Sequence, residues 1–243
     1  MSRENIFEAM ENDIMQADIT EAEKNKMLKN VMRLKEKKVN IMITGATGCG
    51  KSSTINALFD TEVAKVGVGV EPETMEIEKY TLDNLILWDT PGLGDNVEKD
   101  KKYARELINL LYKDYCLDGN NYGFIDTVLV ILDGSGRDMG TTYKILNEIV
   151  VPNFQIDRIL VAINQADVSM KGRHWNEQRN CPDEVLKEFL EQKAESIQLR
   201  LREATGVKVP KPVYYSAEKG YNVERLLDLI IDCMPKERRK LVV

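Results

Sequence analysis

The chain has 243 residues, of which 43% are apolar and 30% are charged, and its formal net charge is −6 at pH 7. This length and composition suit a globular protein with one α/β domain and extensions. The acidic balance argues against a general nucleic-acid binder. No apolar run approaches the roughly 20 residues that cross a bilayer, and no signal-peptide core is present, so we expect a cytoplasmic protein without a transmembrane segment.

The four cysteines and the single histidine exclude an obvious zinc site. The cysteines are scattered without a C-x-x-C pair, which favours reduced thiols in a cytoplasm. A serine hydrolase built on His174 is an alternative, but no residue near it supports that chemistry.

Residues 1–38 are predicted to form a helical extension. Ile6, Phe7 and Met10 follow helical spacing in a first helix, and Thr20 with Glu23 forms a capping box at the start of a second. Two helices packed against the domain would explain this pattern, and so would an arm that docks a partner or a second copy.

The next stretch combines a buried strand, a glycine-rich turn and a helix. Residues 39–44 are the predicted strand, residues 45–52 fit G-x-x-x-x-G-K-[ST], and residues 53–59 continue as a helix. In this order the pattern indicates a P-loop, whose backbone N–H groups and helix N-terminus bind phosphate. Lys51 would reach the β- and γ-phosphates, and the Ser52 hydroxyl would ligate Mg²⁺. The predicted phosphate-binding residues are Gly45, Ala46, Thr47, Gly48, Cys49, Gly50, Lys51, Ser52 and Ser53.

A flexible loop and a β-hairpin are expected after this helix. The loop covers residues 61–73, and residues 74–82 and 85–88 form two strands around a tight turn. The second strand ends in Asp89-Thr90-Pro91-Gly92. An aspartate after a buried strand is placed to hold Mg²⁺ through a water, and Gly92 has no Cβ to keep its N–H from the γ-phosphate.

The rest of the chain alternates helices with strands. We predict helices at 103–115, 141–150 and 182–204, a last helix capped by Asn222, and strands at 126–133, 158–163 and 208–215. The basic segment 236–240 is expected to be solvated. Alternation of this kind predicts a mostly parallel sheet with right-handed crossovers and a ligand at the carboxyl ends of its strands.

Two polar segments follow strands and are candidates for reading a base. In Asn164-Gln165-Ala166-Asp167, the carboxylate of Asp167 can accept from N1–H and from the exocyclic amino group of guanine. Adenine has an acceptor at N1 and would leave this carboxylate unpaired. Ser216 and Ala217 would supply a backbone N–H to guanine O6, with Glu218 next to them. A capped turn is the alternative explanation for Asn164 and Asp167.

These motifs, in this order, resemble those of the translation-factor-related class of P-loop GTPases. The pattern Gly-x-Thr-Gly-x-Gly-Lys-Ser-Ser followed by Asp-Thr-Pro-Gly is similar to that of Era-like, septin-like and YfjP/YeeP-type bacterial GTPases. The resemblance covers residues 40–234. It implies an α/β P-loop NTPase fold of the Ras-like G-domain type. Its mostly parallel six-stranded sheet would have one antiparallel edge hairpin and helices on both faces.

The resemblance also implies ligands and roles. GTP or GDP and Mg²⁺ would be bound, Thr74 in a first switch would close on Mg²⁺ and the γ-phosphate, and residues 89–100 would form a second switch. Lys51, Thr74 and Gly92 would then act in catalysis, and Ser52, Thr74 and Asp89 would hold the metal. The G domain would span residues 39–235, between the helical extension 1–38 and a basic tail 236–243.

Three positions depart from the pattern. Leu93 stands where Ras-like proteins have a glutamine that orients water, so intrinsic hydrolysis should be slow. Gln165 replaces the lysine usual in Asn-Lys-x-Asp, which removes a charge near the P-loop. Gly48 replaces the asparagine of potassium-stimulated relatives, so we expect no such stimulation.

The leading interpretation is a GTP-binding molecular switch that hydrolyses GTP slowly. One alternative is a GTP-dependent self-assembling module that dimerises across its nucleotide face, and another is a P-loop ATPase or kinase. Arg137, beside Asp138, could serve a neighbouring protomer, and Glu71 and Glu73 are weak candidates for positioning water. The sequence leaves ribosome, RNA and other protein partners open.

Overall fold

The computed structural model describes residues 14–16, 20–25, 27–28, 38–59, 78–82, 85–94, 97–135, 140–206 and 209–241. Most of the predicted helical extension lies outside these residues, although its capping box lies within them. There, the Thr20 N–H donates to Glu23 Oε2 over 2.9 Å and the Glu23 N–H donates to Thr20 Oγ1 over 3.3 Å, which confirms the box. Outside the described residues lie the predicted first loop and five candidate side chains: Glu71, Glu73, Thr74, Arg137 and Asp138.

The described strands are β1 (Val39–Gly45), β2 (Glu78–Leu82), β3 (Leu85–Asp89), β4 (Asp114–Leu117), β5 (Asn120–Gly123), β6 (Thr127–Asp133), β7 (Ile159–Asn164), β8 (Trp175–Asn176), β9 (Cys181–Pro182) and β10 (Val213–Tyr214). The α-helices are α1 (Lys51–Leu58), α2 (Val97–Tyr112), α3 (Gly140–Lys144), α4 (Val151–Asn153), α5 (Glu184–Thr205) and α6 (Val223–Asp232). A π-helical stretch, Ile145–Val150, joins α3 to α4, and short 3₁₀ turns occupy Ile156–Arg158 and Ser169–Gly172.

One sheet of six described strands forms the centre of the molecule, in the order β10-β7-β6-β1-β3-β2. Every pairing in it is parallel except that of β2 with β3. The register places Ile43 beside Asp89 and Gly45 beside Ile131, so the carboxyl ends of β1, β3 and β6 meet at one edge. The predicted fold class, an α/β sheet with one antiparallel edge, is confirmed.

Successive side chains along the buried strands point to opposite faces of the sheet and form a hydrophobic core on each face. In β1, Met42 packs with the apolar side chains of α2, the π-helical stretch and α5. Its neighbours Ile41 and Ile43 face the other way and pack with α1 and α6. Both faces are covered by helices, as expected where strands are continuous apolar runs.

The region between α2 and β6 differs from the prediction. The helix expected at 103–115 begins at Val97 and ends at Tyr112. The chain then forms an antiparallel hairpin, β4–β5, that the sequence analysis missed. Its two turn residues, Asp118 at φ 52° and Gly119 at φ 76°, are both left-handed, which is the backbone of a type I′ turn.

The C-terminal segment also corrects a prediction. Residues 236–240 were expected to be solvated, but Arg239 is only 4% exposed. Its Nε donates to Ile125 O over 3.0 Å, its Nη2 donates to Leu111 O, and its own carbonyl accepts from the Gly123 N–H. The segment is therefore packed against the β4–β5 hairpin.

Smaller differences concern element ends. The predicted strand at 208–215 is reduced to β10, and the predicted helix at 141–150 contains the π-helical stretch. Asn222 has φ 56° and does not cap α6 with its side chain, which donates instead to Tyr214 O over 3.1 Å. Among the described residues, no helix is both long and apolar enough to cross a membrane.

Candidate nucleotide-binding site

The glycine-rich turn between β1 and α1 has the backbone that a phosphate cradle requires. Gly48 (φ 77°) and Gly50 (φ 85°) are both left-handed, a conformation that residues with a Cβ rarely adopt. A Cβ on Gly50 would also lie 2.3 Å from Asn164 Nδ2. The turn therefore depends on glycine at position 50 for its conformation and for its contact with the next segment of the site.

Lys51 is folded back over this turn. Its ammonium group donates to Gly45 O over 3.3 Å and to Ala46 O over 3.2 Å, and the residue is buried. The Lys51 ammonium is thus held by carbonyl oxygens of the loop. It would exchange these bonds for bonds to phosphate oxygens when a phosphate binds.

Ser52 and Asp89 form the second feature at this edge of the sheet. The Ser52 hydroxyl donates to Asp89 Oδ2 over 2.7 Å, which joins the start of α1 to the end of β3. A hydroxyl and a carboxylate are hard oxygen donors of the kind that Mg²⁺ binds. The residues present therefore fit the predicted metal, with Ser52 and Asp89 close enough to share one ion.

The segment after Asp89 is bound to the P-loop through its backbone. The Thr47 N–H donates to Leu93 O over 2.9 Å, and a Cβ on Gly92 would lie 2.7 Å from Thr47 Cα. The side chain of Leu93 is 5% exposed and packs in the core of the α2 face. Gly92 is therefore required by close packing, and the side chain of Leu93 is part of the hydrophobic core.

The predicted base-reading residues surround one cavity of about 260 Å³. Asp167, at its wall, is 7% exposed, whereas the side chain of Val168 is an exposed apolar group. Such a cavity offers a carboxylate for hydrogen bonds and an apolar surface for a ring. Its lining residues are Gly50, Ser53, Asn164, Gln165, Asp167, Val168, Ser216, Ala217 and Glu218.

Asn164 connects this cavity to the P-loop. At the end of β7, its Nδ2 donates to Cys49 O over 3.0 Å, and its Oδ1 accepts from the Ala217 N–H over 3.0 Å. One buried side chain thus holds the phosphate-side loop and the loop after β10 in a fixed relation. It is a structural link rather than a free hydrogen-bonding group.

Gln165 makes a contact that the sequence analysis did not anticipate. Its backbone is left-handed, at φ 62°, and its Nε2 donates to Gly48 O over 2.9 Å. The neutral amide therefore braces the P-loop without the charge of the lysine that it replaces.

The predicted amide donors to guanine O6 are engaged within the protein. The Ser216 N–H donates to Tyr221 O over 2.9 Å, and the Ala217 N–H donates to Asn164 Oδ1. The Lys219 N–H donates to Ser216 Oγ over 3.1 Å. These bonds hold the loop Ser216–Tyr221 in one conformation, with Ser216, Ala217 and Glu218 at the cavity wall.

Two further residues behind the site were missed. The hydroxyl groups of Thr54 and Tyr215 lie 2.7 Å apart, and Thr54 also donates to Gly50 O over 2.7 Å. Burial raises the pKa of Tyr215 above its ordinary range and that of Cys49 to about 11, so both stay protonated at neutral pH. The only sequence signal for this link was a tyrosine directly before the Ser216-Ala217 pair.

Sequence comparisons connect the chain to GTPases over part of its length. The sequence model of the Interferon-inducible GTPase (IIGP) family matches residues 3–115. Human Septin-12 is 37% identical over 90 residues, and mouse Interferon-gamma-inducible GTPase 10 is 36% identical over 75 residues. These matches cover 31% and 28% of this chain and 25% and 18% of the two relatives. The chain therefore spans a quarter or less of the length of these relatives.

Solved structures extend the comparison to nearly the whole chain. Toc33 from Arabidopsis thaliana, in complex with Mg²⁺ and GMPPNP, superposes with a TM-score of 0.58 at 15% identity, over 96% of this chain and all of that one. The chain has the fold of a P-loop GTPase G domain. At this identity the likeness shows the fold, and the roles of individual side chains in this G domain rest on the geometry described above.

Proposed function

We propose that this G domain binds GTP with Mg²⁺ and hydrolyses it slowly to GDP and phosphate, as a molecular switch. The observation that carries the proposal is the link between the two halves of the site. Asn164 and Gln165 flank the cavity and bond directly to Cys49 and Gly48 of the P-loop. A ligand with a phosphate chain and a ring, joined by a short spacer, matches that arrangement.

Guanine is the base that the cavity suits. Asp167, when ionised, has only acceptors to offer, and guanine presents two donors side by side at N1 and at its exocyclic amino group. Adenine would make fewer contacts here, because its N1 is an acceptor facing a carboxylate. Gln165 and Val168 line the same cavity and provide surface for the ring.

The phosphate side has the groups that phosphoryl transfer needs. Lys51 would exchange its bonds to Gly45 O and Ala46 O for phosphate oxygens, and Ser52 and Asp89 would hold Mg²⁺. When bound, Mg²⁺ neutralises charge that develops on the phosphate oxygens. Thr74, outside the described residues, is proposed to complete this set from the first switch.

Slow hydrolysis follows from the position of Leu93. A core-packed leucine cannot orient water, so the chain lacks that part of the machinery at this position. Another group would have to position the water, either from the first switch or from another molecule. Arg137 of a neighbouring protomer stays a candidate.

Phosphate release from Mg²⁺-GTP tests the proposal directly. We expect a slow, Mg²⁺-dependent release that Lys51→Ala and Ser52→Ala abolish. Lys187→Ala, on the exposed face of α5, serves as a control and should hydrolyse at the wild-type rate. Equal release by wild type and Lys51→Ala would contradict the assignment of the P-loop.

Self-assembly is the second candidate function. Dimerisation is important for the GTPase activity of the chloroplast translocon components Toc33 and Toc159, which share this fold. If this chain forms a homodimer across its nucleotide face, the rate per molecule should rise steeply with protein concentration. A hydrolysis rate per molecule that does not depend on protein concentration favours a switch that is activated by a different partner.

The finer assignments belong to the same proposal. Membership of the YfjP/YeeP-type group, a cytoplasmic location and a ribosomal, RNA or other protein partner are predictions from sequence alone. Affinity capture with protein held in the triphosphate state, compared with the diphosphate state, would identify a partner.

A further inference from the structure

The loop Ser216–Tyr221 is held from outside the cavity by a segment that precedes α5. This segment, residues 169–183, includes the 3₁₀ turn Ser169–Gly172 and the short strands β8 and β9. None of its residues is among those that line the cavity. Asn180 therefore influences a bound base through the loop, whereas Ser169, at the start of the segment, bonds to Gln165 O.

Three contacts join the segment to the loop. Asn180 Nδ2 donates to Lys219 O over 2.8 Å, and the Lys219 ammonium donates to Glu177 Oε2 over 2.9 Å. Trp175 meets Tyr221 edge to face, with ring centroids 5.3 Å apart and an angle of 89°. The Asn180 bond fixes the carbonyl group of Lys219, the residue directly after Glu218, and Trp175 packs against Tyr221 at the end of the loop.

The three contacts differ in strength. Glu177 is exposed, and its side chain is 71% accessible, so its ion pair with Lys219 is screened by solvent. The Asn180 bond is a neutral amide-to-carbonyl bond that acts on the backbone of the loop itself. Asn180 adopts φ 49°, a left-handed conformation that asparagine and glycine tolerate better than other residues.

The segment is itself fixed at Asp183, where it joins α5. The Asp183 N–H donates to His174 O over 2.8 Å, and His174 Nδ1 lies 2.8 Å from Asp183 Oδ2. Asp183 also accepts from the Leu186 N–H at the start of α5. The segment is therefore anchored to the long helix and can transmit that rigidity to the loop.

We propose that Asn180 is a positioning residue for purine recognition, because its bond to Lys219 O holds the loop Ser216–Tyr221 where the Glu218 N–H, at the cavity wall, would meet O6 of the base. The inference rests on the proposed function of the same site. Guanine would be read at two places, at N1 and the amino group by Asp167 and at O6 by the loop. Asn180 acts on the second place alone.

Two nucleotide analogues separate these places. In 6-thio-GTP a sulfur, a weak acceptor, replaces O6, whereas inosine triphosphate lacks the amino group that Asp167 reads. We expect Asn180→Gly, which keeps the left-handed backbone and removes the amide, to lower the affinity ratio of GTP to 6-thio-GTP about fivefold. The ratio of GTP to inosine triphosphate should stay as in wild type.

A second variant and a control complete the design. Asn180→Asp keeps the size of the side chain but places a carboxylate oxygen against Lys219 O, and it should change the same ratio in the same direction. Arg173→Ala alters an exposed side chain of the same segment, one with no hydrogen bond to the loop within the described part of the chain, and both ratios should stay unchanged.

The outcomes are distinguishable by equilibrium titration. If both Asn180 variants keep the wild-type ratio of GTP to 6-thio-GTP, or if both ratios fall together, the positioning role is wrong. A wild-type protein that binds GTP but does not prefer it to 6-thio-GTP would also overturn it. A wild-type protein that binds no GTP would instead contradict the proposed function.

Discussion

At the scale of single residues, Gln165 shows how a substitution within a motif can keep one role and lose another. The amide reaches Gly48 O, so the brace on the P-loop is retained, while the positive charge of a lysine is absent. Affinity for a phosphate chain depends on charge, but selection of the base depends on Asp167, two residues further on. The two properties should therefore separate in a variant.

Gln165→Met tests that separation. Methionine keeps the unbranched stem that can cover a ring but cannot donate to Gly48 O. We expect GTP affinity to fall about threefold to tenfold, the effect of losing one neutral hydrogen bond, with the preference for GTP over ATP unchanged. Competition titrations with both nucleotides give both values. A change in purine preference would mean that Gln165 itself reads the base.

The sequence predicted the candidate site residues but not the bonds among them. The pattern from Gly45 to Ser52 and the carboxylate at Asp167 could be predicted because their spacing follows from phosphate and base chemistry. The bonds from Asn164 to Cys49 and from Tyr215 to Thr54 join residues 115 and 161 positions apart. Such pairs depend on how the strands are ordered in the sheet, which a local pattern does not encode.

At the scale of elements, the start of α5 depends on Asp183. Its Oδ1 accepts from the Leu186 N–H over 3.0 Å, and its Oδ2 faces His174. The Leu186 N–H foremost, and then His174, lower the pKa of Asp183 below its ordinary value of 3.8. A carboxyl group whose pKa is depressed on folding stabilises the protein above its unfolded-state pKa, and this stabilisation is lost as pH falls through the folded-state value.

Asp183→Asn tests that linkage, because asparagine can still cap the helix but does not ionise. We expect wild type to be the more stable protein at pH 5 to 7 and the difference to shrink as pH falls below 3.8. Denaturant unfolding at several pH values measures it. A difference that stays constant from pH 7 to pH 3 would contradict the role of the charge.

The β4–β5 hairpin and the C-terminal segment form a second structural unit, joined by Arg239. The guanidinium lies over the ring of Phe154, 4.6 Å from its centroid, and burial lowers the pKa of Arg239 without removing its charge at neutral pH. Removing this side chain leaves Ile125 O without its hydrogen bond from Nε and Leu111 O without its bond from Nη2.

Arg239→Met should therefore destabilise the protein by about 1 to 3 kcal/mol, the usual effect of unpairing buried polar groups. Arg238→Met is the matched control. Arg238 is half-buried over the rings of Tyr115 and Tyr122 and donates to the Tyr115 hydroxyl rather than to buried carbonyl groups, so its loss should have a smaller effect. Urea unfolding followed by circular dichroism compares the two variants. If both variants lose the same free energy of unfolding, the buried hydrogen bonds of Arg239 do not contribute specially to stability.

The hairpin itself could have been predicted from sequence. Asp118-Gly119, between residues that include tyrosines on both sides, is a strong signal for a type I′ turn, but the apolar spacing of α2 was extended through Tyr115 and concealed it. The burial of Arg239 could not have been predicted in the same way. It depends on carbonyl groups of residues 111 and 125, which approach the C-terminal segment only in the folded chain.

At the scale of the whole molecule, the fold follows from alternation and the site follows from the fold. The buried strands β1, β3, β6 and β7 are apolar on both faces, so the sheet must be covered by a layer of helices on each side. Parallel strands also bring their carboxyl ends to one edge of the sheet. The phosphate and base segments, far apart in sequence, meet at that edge for this reason. Thr74, at the first switch, lies outside the described residues, and its role stays a prediction.

The central claim is that one pocket holds the phosphates through Lys51 and reads the purine through Asp167. The most direct test is the ratio of affinities for GTP and xanthosine triphosphate, measured by equilibrium titration of wild type and Asp167→Asn. Xanthine has a carbonyl where guanine has its amino group, so a carboxylate rejects it and an amide accepts it. Wild type should prefer GTP and Asp167→Asn should prefer xanthosine triphosphate, a shift of about two orders of magnitude in the ratio. An unchanged ratio in Asp167→Asn would contradict it.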